Sequence, residues 1–153
     1  MRLGTMTSLF RDRRECAEHF GYIESIQRCR KAGFTVLDMN LCALNRRQTT
    51  LHLDNWQEQV DEIRNEAERL GCVFSQSHPP YRRGRDGAFA TAEEEEFFRA
   101  MSLRALEITA MLGAKWAVIH PVMDVTADIN DVDAHVCYNQ QMFAREAELA
   151  AKL

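Results

Sequence analysis

One unit recurs along this chain: an amphipathic helix pattern, a glycine, one or two residues, an apolar strand pattern, then a polar cluster. The glycines are Gly33, Gly71 and Gly113, spaced 38 and 42 residues apart. After them come FTVLDMN, CVFSQSHPP and AKWAVIHPV, each nearly continuous in apolar character. Runs of that kind are expected of strands covered on both faces, so the repeat predicts a parallel sheet with helical crossovers.

The helices are legible by period. Trp56, Val60, Ile63, Ala67 and Leu70 form one apolar stripe, and Phe98, Met101, Ala105, Ile108 and Leu112 form another. Thr91 with Glu94 has the spacing of a capping box, and Gly71 and Gly113 stand where a helix ends on a left-handed residue. A first helix falls over 22–32 and a fourth over roughly 135–153. With MRLGTMTSL as the opening strand, the pattern is (βα) four times.

Another helix-ending glycine falls due near residue 153, where the sequence stops. Eight-stranded barrels typically take about 250 residues. The expectation is α/β, a single domain over 1–153 that forms the N-terminal (βα)4 half of a TIM barrel. It would be completed by a missing C-terminal half or by dimerisation. The competing architecture, an open doubly wound sheet, usually carries a glycine-rich loop after its first strand, and MTSLFRDRR has none.

Composition narrows the class. With 46% hydrophobic and 27% charged residues and a formal net charge of -4, the chain reads as globular rather than disordered, collagenous or membrane-spanning. Its five cysteines are scattered without a C-x-x-C pair, which argues against a disulfide framework or zinc knuckle and points to a reducing cytoplasm. No apolar run is long enough for a signal-peptide core or a membrane span.

In either parallel architecture the loops after the strands gather on one face, where sites are built. Those loops hold Arg11, Arg13 and Arg14, then Arg46 and Arg47, then Arg82, Arg83 and Arg85. Guanidinium forks grip phosphate or carboxylate, so an anionic small substrate is one reading. A solvated rim balanced by Asp124, Asp128, Asp131 and Asp133 is the other. The negative net charge and the lack of interleaved aromatics argue against nucleic acid.

Asp38, Ser77, His78 and His120 fall at the strand ends, and both histidines precede proline, which stops strand pairing and stiffens the turn. Histidine there can bind a metal, move a proton near neutral pH or hold a hydroxyl. Asp38 can orient a histidine or simply face solvent. A catalytic metal site takes three or four ligands, for which two histidines with Asp38 or Asp124 make a weak case. Tyr81 can line a pocket, while Trp116, within a strand, is expected to pack on a helix. His52 and His135 lie away from strand ends, and no catalytic triad, P-loop or dinucleotide fingerprint is present.

GTMTSLF, KAGFTVLDMNL, ERLGCVFSQSHPPY and MLGAKWAVIHPV together resemble the sugar phosphate isomerase/epimerase family, the xylose isomerase-like TIM barrels. The resemblance covers essentially the whole chain and only the N-terminal half of that fold. It implies a divalent metal, manganese, magnesium or zinc, and proton transfer on a small ketose, aldose or sugar acid. It places Asp38, His78 and His120 at catalytic, substrate-side positions; the position of Tyr81, Arg46, Arg82 and Arg83 in the loops after the strands, not the resemblance, sets them toward the substrate. The related endonuclease IV type of barrel carries metal-binding histidines on the third and fourth strands, which keeps His78 and His120 open as metal ligands. The family's main metal carboxylates and acid/base glutamates belong to later strands that this sequence does not contain. Two other functions stand beside isomerase/epimerase: a zinc phosphodiesterase of the endonuclease kind, and a non-catalytic half-barrel that dimerises.

Overall fold

The three repeat glycines end helices as their spacing predicts. Gly33, Gly71 and Gly113 have φ of 94°, 67° and 70°, the left-handed region that glycine enters without steric cost. The computed structural model describes residues 3–9, 21–47, 49–81, 91–121 and 127–153. The elements run β1 (Gly4–Met6), α1 (Tyr22–Lys31), β2 (Val36–Asn40), α2 (Trp56–Arg69), β3 (Val73–His78), α3 (Ala92–Met111), β4 (Trp116–Ala117), α4 (Val132–Met142) and α5 (Ala144–Ala150). Two short 3₁₀ turns, Leu44–Arg46 and Thr50–His52, link β2 to α2. No described helix is long and apolar enough to cross a membrane.

The four strands form one parallel sheet in the order β1-β2-β3-β4. Sequential order with helical crossovers is the barrel arrangement; a doubly wound sheet reverses its strand order and carries helices on both faces. Here α1, α2 and α3 share one core with one sheet face. Ile26 and Cys29 of α1, Val60 and Ile63 of α2, and Ala105 and Ile108 of α3 pack with Leu37, Met39 and Phe74. Leu37, Met39, Thr7 and Ser77, all on that face, are fully buried.

The opposite face differs from expectation. Continuous apolar strands predicted cover on both sides, yet among the described residues the face carrying Val36, Val73 and Trp116 has no helix upon it, and Trp116 is 71% exposed. Trp116 therefore does not pack on a helix: its register opposite Gln76 turns it away from the helical layer. In a closed barrel this inward face is filled by side chains from all eight strands.

The helical periodicity holds for α2 and α3, and the Thr91 hydroxyl accepts from the Glu94 amide at 3.2 Å. The last helical stretch begins earlier than its pattern suggests, because the Asp131 carboxylate accepts from the Ala134 amide at 3.0 Å and caps it. It is also divided at Phe143, whose non-helical backbone ends α4 and starts α5.

Candidate functional site

A single irregularity decides which side chains meet. Leu37 pairs with Phe74 but Asp38 pairs with Gln76, so Ser75 is an extra residue in β3. This β-bulge shifts parity: it brings Gln76 and His78 onto the open face beside Asp38 and Asn40, where an unbroken register would have put Ser75 and Ser77.

His78 closes β3, and its Nδ1–H donates to Asp38 Oδ1 at 2.9 Å. The Gln76 amide donates to the other carboxylate oxygen, Oδ2, at 2.7 Å. A carboxylate only accepts, so Nδ1 of His78 carries a hydrogen, and whenever the ring is neutral it is Nε2 that keeps the lone pair. Both side chains of the pair are largely buried, at 14% and 13% exposure. The His78 ring stacks on His120 with centroids 5.6 Å apart and 30° between planes. Tyr81 meets His120 edge-on at 5.5 Å, and the Arg46 guanidinium lies 5.9 Å from the centre of the Tyr81 ring.

The backbone beneath this cluster is braced. The Asn40 amide group donates to Ser8 Oγ at 2.8 Å, its Oδ1 accepts from the Cys42 amide, and its backbone amide donates to Thr7 Oγ1. Pro79 and Pro80 are both buried, so the turn after His78 is packed as well as ring-constrained.

Of the residues singled out in the sequence, Asp38, His78, His120, Tyr81 and Arg46 are brought together. Asp38 sits mid-strand rather than at the end of β2, and reaches His78 through the register. Ser77 belongs to the other face: it is fully buried and bonded to Thr109 Oγ1 at 2.6 Å, a packing contact. Arg47 lies over Phe97 at 4.4 Å instead of joining Arg46. Asp128 and Asp131 close local turns, accepting from the Asn130 and Ala134 amides. Arg11, Arg13, Arg14, Arg82, Arg83, Arg85 and Asp124 lie outside the described residues. His52 sits in a 3₁₀ turn whose carbonyls Arg104 clamps, and His135 is in α4.

Sequence reasoning missed Gln76 and Asn40. Their signal was present as i, i+2 spacing, Gln76 to His78 and Asp38 to Asn40, which in a strand means a shared face.

Among the described residues no three His, Cys, Asp or Glu side chains are placed to hold one metal ion. Asp38 already accepts from His78 and Gln76, and stacked imidazoles hold their in-plane lone pairs side by side instead of converging. These residues do not fit a divalent-metal centre by themselves. The buried thiols are no nucleophiles either: desolvation pushes Cys29 and Cys72 above the ordinary thiol range.

No protein-family model and no curated protein matches the sequence. Solved structures do share the fold. D-psicose 3-epimerase in the presence of D-fructose aligns over 99% of this chain and 49% of its own, at 15% identity and TM-score 0.58. D-psicose 3-epimerase with D-tagatose from Clostridium cellulolyticum H10 aligns over 99% and 49%, at 14% identity and TM-score 0.59. The 3-keto-D-glucoside 4-epimerase of E. coli aligns over 99% and 52%, at 16% identity and TM-score 0.57. The chain spans about half the length of these structures. At such identities the likeness is one of fold: four βα units of a TIM barrel.

Proposed function

We propose that residues 1–153 act as one domain, the N-terminal half of a sugar isomerase or epimerase barrel, and form its proton-handling wall. The observation that carries this reading is the Asp38–His78 hydrogen bond at the polar end of the open sheet face, with His120 stacked alongside. The sugar epimerases of like fold support the substrate class.

The residues divide the work by chemistry. Asp38 fixes the tautomer of His78 and stabilises its imidazolium once a proton arrives. His78 Nε2 takes a proton from the carbon beside the sugar carbonyl and returns it, on the same face of the enediolate, to the neighbouring carbon. His120 holds a substrate hydroxyl, Tyr81 lines the pocket wall, and Arg46 fixes a phosphate or carboxylate substituent.

The test is a titration followed through the imidazole NMR signals of His78 and His120, with a ketohexose, its phosphorylated form and inorganic phosphate as probes. Saturable shifts of both signals by the sugars are expected, with the His78 shift abolished in His120→Ala and the phosphorylated sugar bound more tightly unless Arg46 is replaced. Signals indifferent to every sugar contradict the reading.

A further inference from the structure

Asn40 closes β2 with each of its polar groups already engaged. Its backbone amide donates to Thr7 Oγ1 at 3.0 Å, and its carbonyl accepts from the Tyr22 hydroxyl at 3.0 Å. Its side-chain Oδ1 accepts from the Cys42 amide at 3.0 Å. A backbone N–H can only donate, so that contact fixes which end of the side-chain amide is oxygen and turns the NH2 end toward β1. There Nδ2 donates to Ser8 Oγ at 2.8 Å and lies 3.2 Å from Met6 Sδ.

The consequence falls on Ser8. Its oxygen receives the Asn40 hydrogen, so its own hydrogen points elsewhere, and among the described residues that hydrogen meets no acceptor. Ser8 is only half-buried. A hydroxyl held by a fixed donor, with its O–H uncommitted and within reach of solvent, is ready to donate to an oxygen from outside the chain.

Its place along the sheet ties it to the site. The parallel registers set Met6 opposite Asp38 and Asn40 opposite His78. Ser8, two residues beyond Met6 and bonded to the Asn40 side chain, extends the Asn40–His78 row to the end of the first strand. Two strand spacings of about 4.8 Å put the Ser8 and His78 backbones about 10 Å apart, a gap that a polyhydroxylated chain can bridge.

We infer that Ser8 is a specificity-determining residue of this site. Its hydroxyl donates to one hydroxyl oxygen of the sugar, remote from the carbon that His78 serves, and Asn40 is the positioning residue that aims it. The inference rests on the proposed sugar site and adds to it an anchor on β1, on the side of His78 away from His120.

Dissociation constants for a ketohexose and its monodeoxy analogues test it, read from the His78 imidazole signal in the unmodified protein, Ser8→Ala and Asn40→Asp. The second variant keeps the shape of the side chain, but a carboxylate only accepts, so it draws the Ser8 hydrogen to itself and away from the sugar. Both variants should bind the ketohexose about three- to tenfold more weakly, the contribution of one neutral hydrogen bond. One monodeoxy analogue should show the same loss in the unmodified protein and no further loss in either variant. A general loosening of the strand end would instead weaken every analogue alike. If the ketohexose moves the His78 signal yet binds all three proteins equally, or if every analogue loses affinity alike in Ser8→Ala, the inference is overturned and the proposed function stands. If no sugar moves the His78 signal, both fall.

Discussion

The two faces of the same four strands have opposite fates. Toward the helices stand Leu37, Met39, Phe74 and Ser77, buried and interdigitated with α1 to α3. Toward the open side stand Val36, Asp38, Gln76, His78 and Trp116, none of them fully buried. Since β side chains alternate, each strand encodes both fates in successive residues. The helix face fixes the fold, and the open face is free to carry chemistry because stability is supplied from the other side. The open face is itself graded, apolar at Val73 and Trp116 and polar at Asp38, His78 and His120.

The comparison breaks most visibly on the helix side. Leu37→Ala removes a side chain with no exposed surface and should cost about 2–5 kcal/mol in chemical denaturation. The equivalent truncation across the sheet, Trp116→Ala, should cost the isolated chain under about 0.5 kcal/mol when measured at high dilution. Asp38→Ala lies between: it strips the acceptor from two largely buried donors, and a loss of about 1–3 kcal/mol is expected along with the fixed tautomer of His78. Gln76→Leu should lose about 1 kcal/mol and keep the tautomer, since Asp38 Oδ1 still accepts from His78.

The smallest effect belongs to the helical surface. Hydrogen bonds from Arg69, then Gln27, hold Glu66 down to about 2 from an ordinary 4.5. A depressed carboxylate contributes stability that is complete above the unfolded value and lost as pH falls from about 4.5 through about 2. Acid titration of unfolding should show this loss in the native protein and lack it in Glu66→Gln.

Much of the architecture was legible because it rests on local chemistry. The left-handed glycines, the stripe of α2 and the Thr91 cap each need only near neighbours. Asp38, His78 and His120 were legible as polar groups closing apolar runs, although Asp38 lies mid-strand in β2 and His120 beyond the end of β4. The bulge at Ser75 was not, because it arises from pairing with β2, and with it went the reason that Gln76 joins the site and Ser77 leaves it. The open face was illegible for a related reason: apolar strands look alike whether their second cover comes from the same layer or from another.

The most direct test of the central claim is the tautomer of His78, read from its imidazole nitrogen shifts in the unmodified protein. The account expects a protonated Nδ1 held by Asp38 and an unprotonated Nε2 facing the open side, unchanged in Ser77→Ala. An Nδ1 without its hydrogen, or a ring averaging between tautomers, would contradict it.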